Sequence, residues 1–335
     1  MTLLDERAAG VYIIAVTPFT DTGGIDLAST DRMVEFYLDR GATGLTILGM
    51  MGEAPKLSVA ESVAFSRHVV RRVAGRVPVV AGASSPGFAA MRELARAVMD
   101  DGAAGVMVAP VPGVRTDDAV FGYFAQVAET LGGIPWVLQD FPQSTGVQIA
   151  PSVIRRVVEA DPSCVMLKHE DWPGLAKISA LRDMAGTRRI AILVGNGGVF
   201  LPEELRRGAD GAMTGFAFPE MMAGVYAAHL AGDEDRASDI FDAYLPLARY
   251  EQQPGPGLAV RKYILHKRGA IASAAQRRPG STLGAREIEE VEFLLARQAR
   301  RGAAIGGGKS SFCEQKEAKK PYSFSGGKHP LPLNE

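Results

Sequence analysis

The chain has 335 residues, 47% of them hydrophobic and 22% charged, an ordinary globular composition with room for one large core. Its formal net charge of -1 removes any global electrostatic case for nucleic acid or an anionic membrane as partner. Asp5, Glu6 and Arg7 interrupt the first residues, which lack the apolar core of a signal peptide, and no apolar run is long enough to span a bilayer. The two cysteines, Cys164 and Cys313, are far apart and have no metal-ligand spacing, so the expected setting is cytoplasmic and reducing. The five histidines include no His-Glu-x-x-His helix, and no zinc site is expected.

Short apolar or β-branched runs alternate with longer helical patterns. Strands are predicted at Val11–Thr17, Gly44–Leu48, Val77–Ala81, Gly105–Ala109, Pro135–Leu138, Ser163–Lys168, Ile190–Val194 and Gly211–Thr214. Helices are predicted between and after them, at Ser29–Arg40, Val59–Val73, Gly87–Asp100, Asp117–Thr130, Pro151–Ala160, Pro173–Ala185, Pro202–Arg207 and Pro219–Ala231. Several begin with Pro or follow Ser, Thr or Asp, as helix starts should. Such alternation implies parallel strands with helical crossovers. Eight such units fit a closed (β/α)8 TIM barrel better than an open doubly wound sheet, and place the chemistry at the C-terminal ends of the strands.

Residues 1–231 are thus read as the barrel. Asp233–Ala248, Leu258–Lys267 and Arg286–Arg301 are predicted as further helices, giving a C-terminal helical extension over 232–301. From Gly302 to residue 335 the apolar period is lost, and a flexible or non-native tail is expected. Gly308-Lys309-Ser310 invites comparison with a phosphate-binding loop. The first glycine of that motif should stand at 303, which is Ala303, and no strand precedes it.

Lys168 closes the apolar run Ser163–Lys168. A lysine at the mouth of a buried strand sits among neighbours that disfavour its charged form, and a neutral amine attacks a carbonyl to give a Schiff base. A lysine that merely reaches solvent where the strand ends is the alternative.

Three stretches resemble the dihydrodipicolinate synthase / N-acetylneuraminate lyase family of class I aldolases. They are Gly49-Met50-Met51-Gly52-Glu53 after the second strand, Phe141-Pro142 with Thr145-Gly146 after the fifth, and Lys168 ending the sixth. Val16-Thr17-Pro18-Phe19 and Val108-Ala109-Pro110 are similar to the family as well, and order and spacing fit from about residue 10 to residue 300. The resemblance implies a (β/α)8 barrel with a helical extension, usually a homotetramer. It further implies a lysine Schiff base with a 2-oxo acid such as pyruvate, and no metal or organic cofactor.

The departures from the family pattern fall in the site. Its Gly-Thr-Thr-Gly-Glu becomes Gly49-Met50-Met51-Gly52-Glu53 here. Its proton-relaying tyrosine is replaced by Gln139, the arginine before its Thr-Gly pair by Ser144, and a second tyrosine after the strand-four proline by Val111 and Pro112.

Gly49 and Gly52 allow a tight loop whose backbone N–H groups face a carboxylate, a role that needs no threonine hydroxyl; an ordinary strand-to-helix turn is the alternative. Gln139 can hydrogen-bond a carbonyl or carbinolamine oxygen but cannot ionise. Strand alternation puts Gln139 and Phe141 on one face and Asp140 on the other, where a structural cap or ion pair is the preferred reading. Alternation likewise returns Glu170 to the lysine face and turns His169 away, unless a loop overrides it. Glu170 and His169 both remain catalytic candidates beside Lys168 and Gln139, against a charged, solvated loop. Glu53 reads as a carboxylate favoured by a helix N-terminus. Gly195 and Asn196, in the glycine-rich turn after the seventh strand, and Met213 on the eighth join Gly49, Met50, Met51, Gly52 and Phe141 as substrate-binding candidates. Met50, Met51, Phe141, Trp172, Phe216 and Phe218 near the strand ends point to a less polar pocket than a sugar lyase needs.

The expected function is a Schiff-base lyase, an aldolase or hydro-lyase acting on a 2-oxo acid, with small-molecule substrate, no nucleic-acid or membrane partner, and a homo-oligomeric state. A ligand-binding or scaffold protein on the same barrel, without turnover, is the competing reading, because fold alone does not decide function.

Overall fold

The computed structural model describes residues 2–172 and 174–304. Cys313, the Gly308-Lys309-Ser310 sequence and the expected tail beyond residue 304 lie outside the described residues, as does Pro173.

Eight strands form a closed barrel in chain order. They are β1 (Gly10–Ile14), β2 (Gly44–Ile47), β3 (Val79–Gly82), β4 (Gly105–Val108), β5 (Trp136–Asp140), β6 (Cys164–His169), β7 (Ala191–Val194) and β8 (Gly211–Thr214), with β8 pairing back to β1. Every pairing is parallel. Strands filled inside and covered by helices outside are apolar on both faces, which is why they read as continuous runs. Side chains such as Tyr12, Ile14, Val80, Met107, Met166 and Leu193 pack the barrel interior. The alternate positions, among them Leu45, Ile47, Val106, Leu138 and Ile192, face the helices.

The helices are α1 (Leu27–Leu38), α2 (Val59–Val73), α3 (Phe88–Asp100), α4 (Asp117–Leu131), the single turn α5 (Pro142–Thr145), α6 (Pro151–Ala160), α7 (Leu175–Asp183), α8 (Leu201–Arg206) and α9 (Pro219–Leu230). Their starts follow local chemistry. Ser58 and Glu61 form a reciprocal capping box on α2, Thr116 caps α4, and proline opens α6 and α9. Among the described residues three more helices follow: α10 (Glu234–Glu251), which packs on α9, then α11 (Gly257–Lys267) and α12 (Ala285–Ala304). The last of these runs through 302–304, so the first three residues of the expected tail finish a helix.

Most boundaries differ from expectation by one to three residues, and two differences matter to the site. β5 and β6 run on through polar residues at which an apolar pattern stops, so the ladder includes the pairs Gln139↔Lys168 and Asp140↔His169. The helix expected from Pro173 begins at Leu175, after Gly174. At the end of β3, a Cβ on Gly82 would lie 2.0 Å from the Leu48 carbonyl oxygen. Glycine there lets the chain leaving β2 cross close over the barrel.

Candidate functional site

Three side chains meet on the interior face at the C-terminal ends of β5 and β6. Lys168 is 4% exposed, Gln139 3% and Glu170, one residue beyond the end of β6, 6%. The Lys168 Nζ lies 2.8 Å from Glu170 Oε2, and Gln139 Nε2 donates to the same oxygen at 2.7 Å. Glu170 is therefore held by an amine and an amide at once. Its backbone is fixed as well. Its N–H donates to the Asp140 carbonyl at 2.8 Å, and its own carbonyl accepts from Asn196 Nδ2 at 3.1 Å. Gly195 makes room for it, since a Cβ at that position would come within 2.1 Å of Glu170 Cγ. Asn196 itself has a positive φ of 52°, a conformation asparagine tolerates better than most residues. The following Gly197 N–H donates to Thr214 Oγ1 on β8 at 2.8 Å, tying the turn after β7 to the next strand.

The turn after β2 closes another side of the mouth. Gly49 precedes a single 3-10 turn, Met50–Gly52, and a Cβ on Gly49 would lie 3.3 Å from Ile14 Cγ2 and 3.9 Å from Met107 Cε, both interior side chains. Met51 packs on the interior cluster, while Met50 is 38% exposed. The Ser144 hydroxyl donates to Met50 Sδ, so α5 and the β2 turn touch across the rim above β3 and β4. Gly52 offers its carbonyl to Thr17 Oγ1 at 2.5 Å. Phe141, half-buried, starts α5, and Met213 is fully buried in the interior cluster one residue before β8 ends.

Three expectations are corrected. His169 does not join the site, because β6 persists through it and strand alternation holds its side chain behind the barrel, completely buried. There its Nδ1 is 3.5 Å from Asp140 Oδ2 and its Nε2 lies 3.0 Å from the Gly174 carbonyl. Asp140, on the same outer face, takes an ion pair from Lys177 of α7 at 2.8 Å. Phe216 and Phe218 pack with Tyr244 of α10, ring centroids 5.4–6.5 Å apart, in the layer between barrel and helices rather than at the mouth. Glu53 is no helix N-terminal carboxylate; it sits in left-handed backbone between two 3-10 turns and is buried against Lys262 and Lys56. Sequence reasoning missed Lys262 altogether, because its partner lies 209 positions away. Its only trace in the sequence is a lysine set among the apolar positions Ala259, Val260, Ile264 and Leu265.

Among the described residues no group of three or more His, Cys, Asp or Glu side chains is arranged to hold a metal ion, and no helix is long and apolar enough to cross a membrane.

A closed parallel barrel with a buried amine at the end of its sixth strand, backed by a carboxylate, has the layout of a class I lyase. The chain belongs to the dihydrodipicolinate synthetase family, whose model matches residues 7–298. It is 33% identical over 280 residues to an L-2-keto-3-deoxyarabonate dehydratase of Azospirillum brasilense, covering 82% of this chain and 89% of that protein. It is 32% identical over 231 residues to a 4-hydroxy-tetrahydrodipicolinate synthase of Pelobacter propionicus, covering 68% of this chain and 78% of the relative. The crystal structure of a dihydrodipicolinate synthase from Rhodopseudomonas palustris superposes with a TM-score of 0.87 at 52% identity, covering 89% of this chain and all of that one. Lyase chemistry through a Schiff base is general to this family, whose members are typically oligomeric and use small 2-oxo acids.

Proposed function

We propose that this chain is a Schiff-base hydro-lyase that removes water from a 3-deoxy-2-oxo acid through Lys168. The observation that carries the reading is the position of Glu170, whose Oε2 touches both Lys168 Nζ and Gln139 Nε2. A tyrosine relay is absent at Gln139, and a glutamine cannot move a proton. Among the described residues Glu170 is the carboxylate in contact with the amine, and it can take over that task.

The steps balance without a further reagent. The Lys168 ammonium gives a proton to Glu170, and the free amine attacks the C2 carbonyl of the substrate; Glu170 returns that proton to the carbinolamine hydroxyl, which leaves as water, so that the protonated imine forms and Glu170 is a carboxylate again. The protonated imine acidifies the C3 hydrogens. Glu170 takes one of them, leaving an enamine. The enamine expels the C4 hydroxyl, which departs as water with the proton Glu170 returns. Hydrolysis of the resulting unsaturated imine consumes the first water and frees Lys168, so one water is lost in all. Gln139 holds Glu170 in line throughout and can pass its amide hydrogen bond to the carbinolamine oxygen. The turn Gly49–Gly52 supplies the place for the substrate carboxylate. The sequence likeness to a relative named as a 2-keto-3-deoxy acid dehydratase supports dehydration over carbon–carbon cleavage.

Intact-protein mass spectrometry after borohydride reduction tests this, with a panel of 2-oxo acids that includes pyruvate and 3-deoxy-2-oxo sugar acids. The expected result is one adduct, absent in Lys168→Ala, together with loss of water from a 3-deoxy-2-oxo acid in solution. Release of pyruvate from the same acid would make the enzyme an aldolase. Adduct without turnover would make it a binding protein, and no adduct with any 2-oxo acid would end the Schiff-base reading.

A further inference from the structure

α11 belongs to the helical extension, yet one of its side chains reaches the barrel mouth. Lys262 is completely buried, and its Nζ donates to Glu53 Oε1 at 2.5 Å, to the Thr17 carbonyl at 2.8 Å and to the Ala275 carbonyl at 2.8 Å. An ammonium has three protons, and all three are used. Burial lowers the Lys262 pKa, and the Glu53 carboxylate opposes that fall. Glu53, 1% exposed, turns its other oxygen to Lys56 Nζ at 2.8 Å and to the Arg277 N–H at 3.1 Å.

A buried ion pair is a costly way to hold a protein together, and an apolar pair of the same volume would often serve stability as well. What this pair supplies is location. It joins the segment after β1 at Thr17, the turn after β2 at Glu53, and the extension at Lys262, Ala275 and Arg277. Glu53 has φ 58°, which residues other than glycine avoid, so its conformation is held by these partners. Directly before it runs Gly49–Gly52, lying over Ile14 and Met107 of the barrel interior. Met50 and Met51 leave that turn without hydroxyl groups, so only its backbone is available to a carboxylate. A backbone site depends on where the backbone is put.

We propose that Lys262, acting through Glu53, is a positioning residue: it fixes the Gly49–Gly52 turn over the barrel mouth so that the turn receives the carboxylate of a 2-oxo acid bound at Lys168. The inference rests on the function proposed above.

The test uses the full chain and borohydride trapping at Lys168, read as the half-saturating concentration of pyruvate and of pyruvamide, which offers the same carbonyl without the charge. In Lys262→Met the value for pyruvate should rise about tenfold, as expected of a small misplacement, while that for pyruvamide should change by less than about twofold. A folded variant with unchanged pyruvate trapping overturns the proposal, and so does an equal shift for both compounds, since that marks general loosening. If Lys262→Met fails to fold, Glu53→Gln carries the same two readings: it keeps the side-chain shape and removes the charge. Absence of any adduct in the wild type is a separate outcome, which overturns the reading of Lys168 and this inference with it.

Discussion

Gln139 and Lys168 lie side by side on β5 and β6, and one residue later so do Asp140 and His169. The first pair faces the barrel interior and meets Glu170; the second faces the helices and meets Lys177. Both clusters are buried, both hold a carboxylate between nitrogens, and they sit back to back on the same two strand ends. They differ in access. The inner carboxylate lies at the C-terminal ends of the strands, the end at which barrels of this kind carry their chemistry. The outer one is enclosed by Lys177 of α7 with Asp171 and by the Gly174 carbonyl, and among the described residues Asp140 Oδ1 and His169 Nδ1 have no hydrogen-bond partner. Titratable chemistry alone therefore does not mark an active site; strand alternation decides which of two similar clusters can work.

The strongest way to break this comparison is Glu170→Gln. If the inner carboxylate moves the proton, kcat should fall by about 10²–10⁴-fold, the range of a lost general acid–base group. Trapping of a 2-oxo acid at Lys168 should persist but form more slowly, because the amine loses its proton acceptor, and the melting temperature should fall as well, because Lys168 loses its buried charge partner. Steady-state kinetics and thermal unfolding measured side by side check it. A variant that keeps its turnover would remove Glu170 from the chemistry and leave water or the substrate's own carboxylate as relay.

The mirror experiment is Asp140→Asn on the outer face. Lys177 would keep Asp171 at 2.7 Å but lose its buried partner, and His169 would lose its neighbouring charge. Unfolding free energy should drop by about 2–3 kcal/mol, the lower side of what a broken buried pair costs. Once folded, the variant should retain kcat within about threefold, far short of the loss expected for a catalytic group. Urea unfolding and kinetics on the folded fraction test this, and a large loss of kcat without loss of stability would mean the outer cluster is part of the chemistry.

These contrasts also show what the sequence could and could not reveal. Alternation along β6 was readable, and it places Glu170 with Lys168 and His169 opposite; what the pattern could not say was whether β6 still held its strand geometry at His169, because the apolar run ends two residues earlier, at Leu167. Helices with sharp local signals were plain, as with Ser58 and Glu61 opening Val59–Val73 or proline opening Pro151–Ala160. Phe216 and Phe218 could not be sorted, since a loop after a strand end has no fixed period to say which way an aromatic ring turns. Lys262 could not be paired with Glu53, because nothing local in either segment points across 209 residues. Local periodicity thus carries the barrel and the inner strand ends; the contacts that set the mouth are long-range and have no local signature.

The comparison can be sharpened with two glycines, one behind each carboxylate cluster. A Cβ on Gly195 would sit 2.1 Å from Glu170 Cγ, and a Cβ on Gly174 would sit 2.1 Å from His169 Nε2 and 2.4 Å from the Asp171 carbonyl. Each alanine adds one methyl group in a place already filled, so each must displace a neighbour. Behind Gly195 the neighbour is the side chain of the inner carboxylate, which can rotate away from the added methyl group more cheaply than backbone can move. Gly195→Ala should therefore lower kcat by about tenfold, because a proton-transfer group that moves by an ångström loses much of its effect, while unfolding shifts little. Behind Gly174 the neighbours are a sealed ring and a backbone carbonyl with nowhere to go. Gly174→Ala should cost about 1–2 kcal/mol of stability and leave kcat nearly unchanged. Measuring kcat and urea unfolding for both variants gives four numbers. The division between the two faces holds if activity and stability separate between them, and it fails if the two alanines act alike.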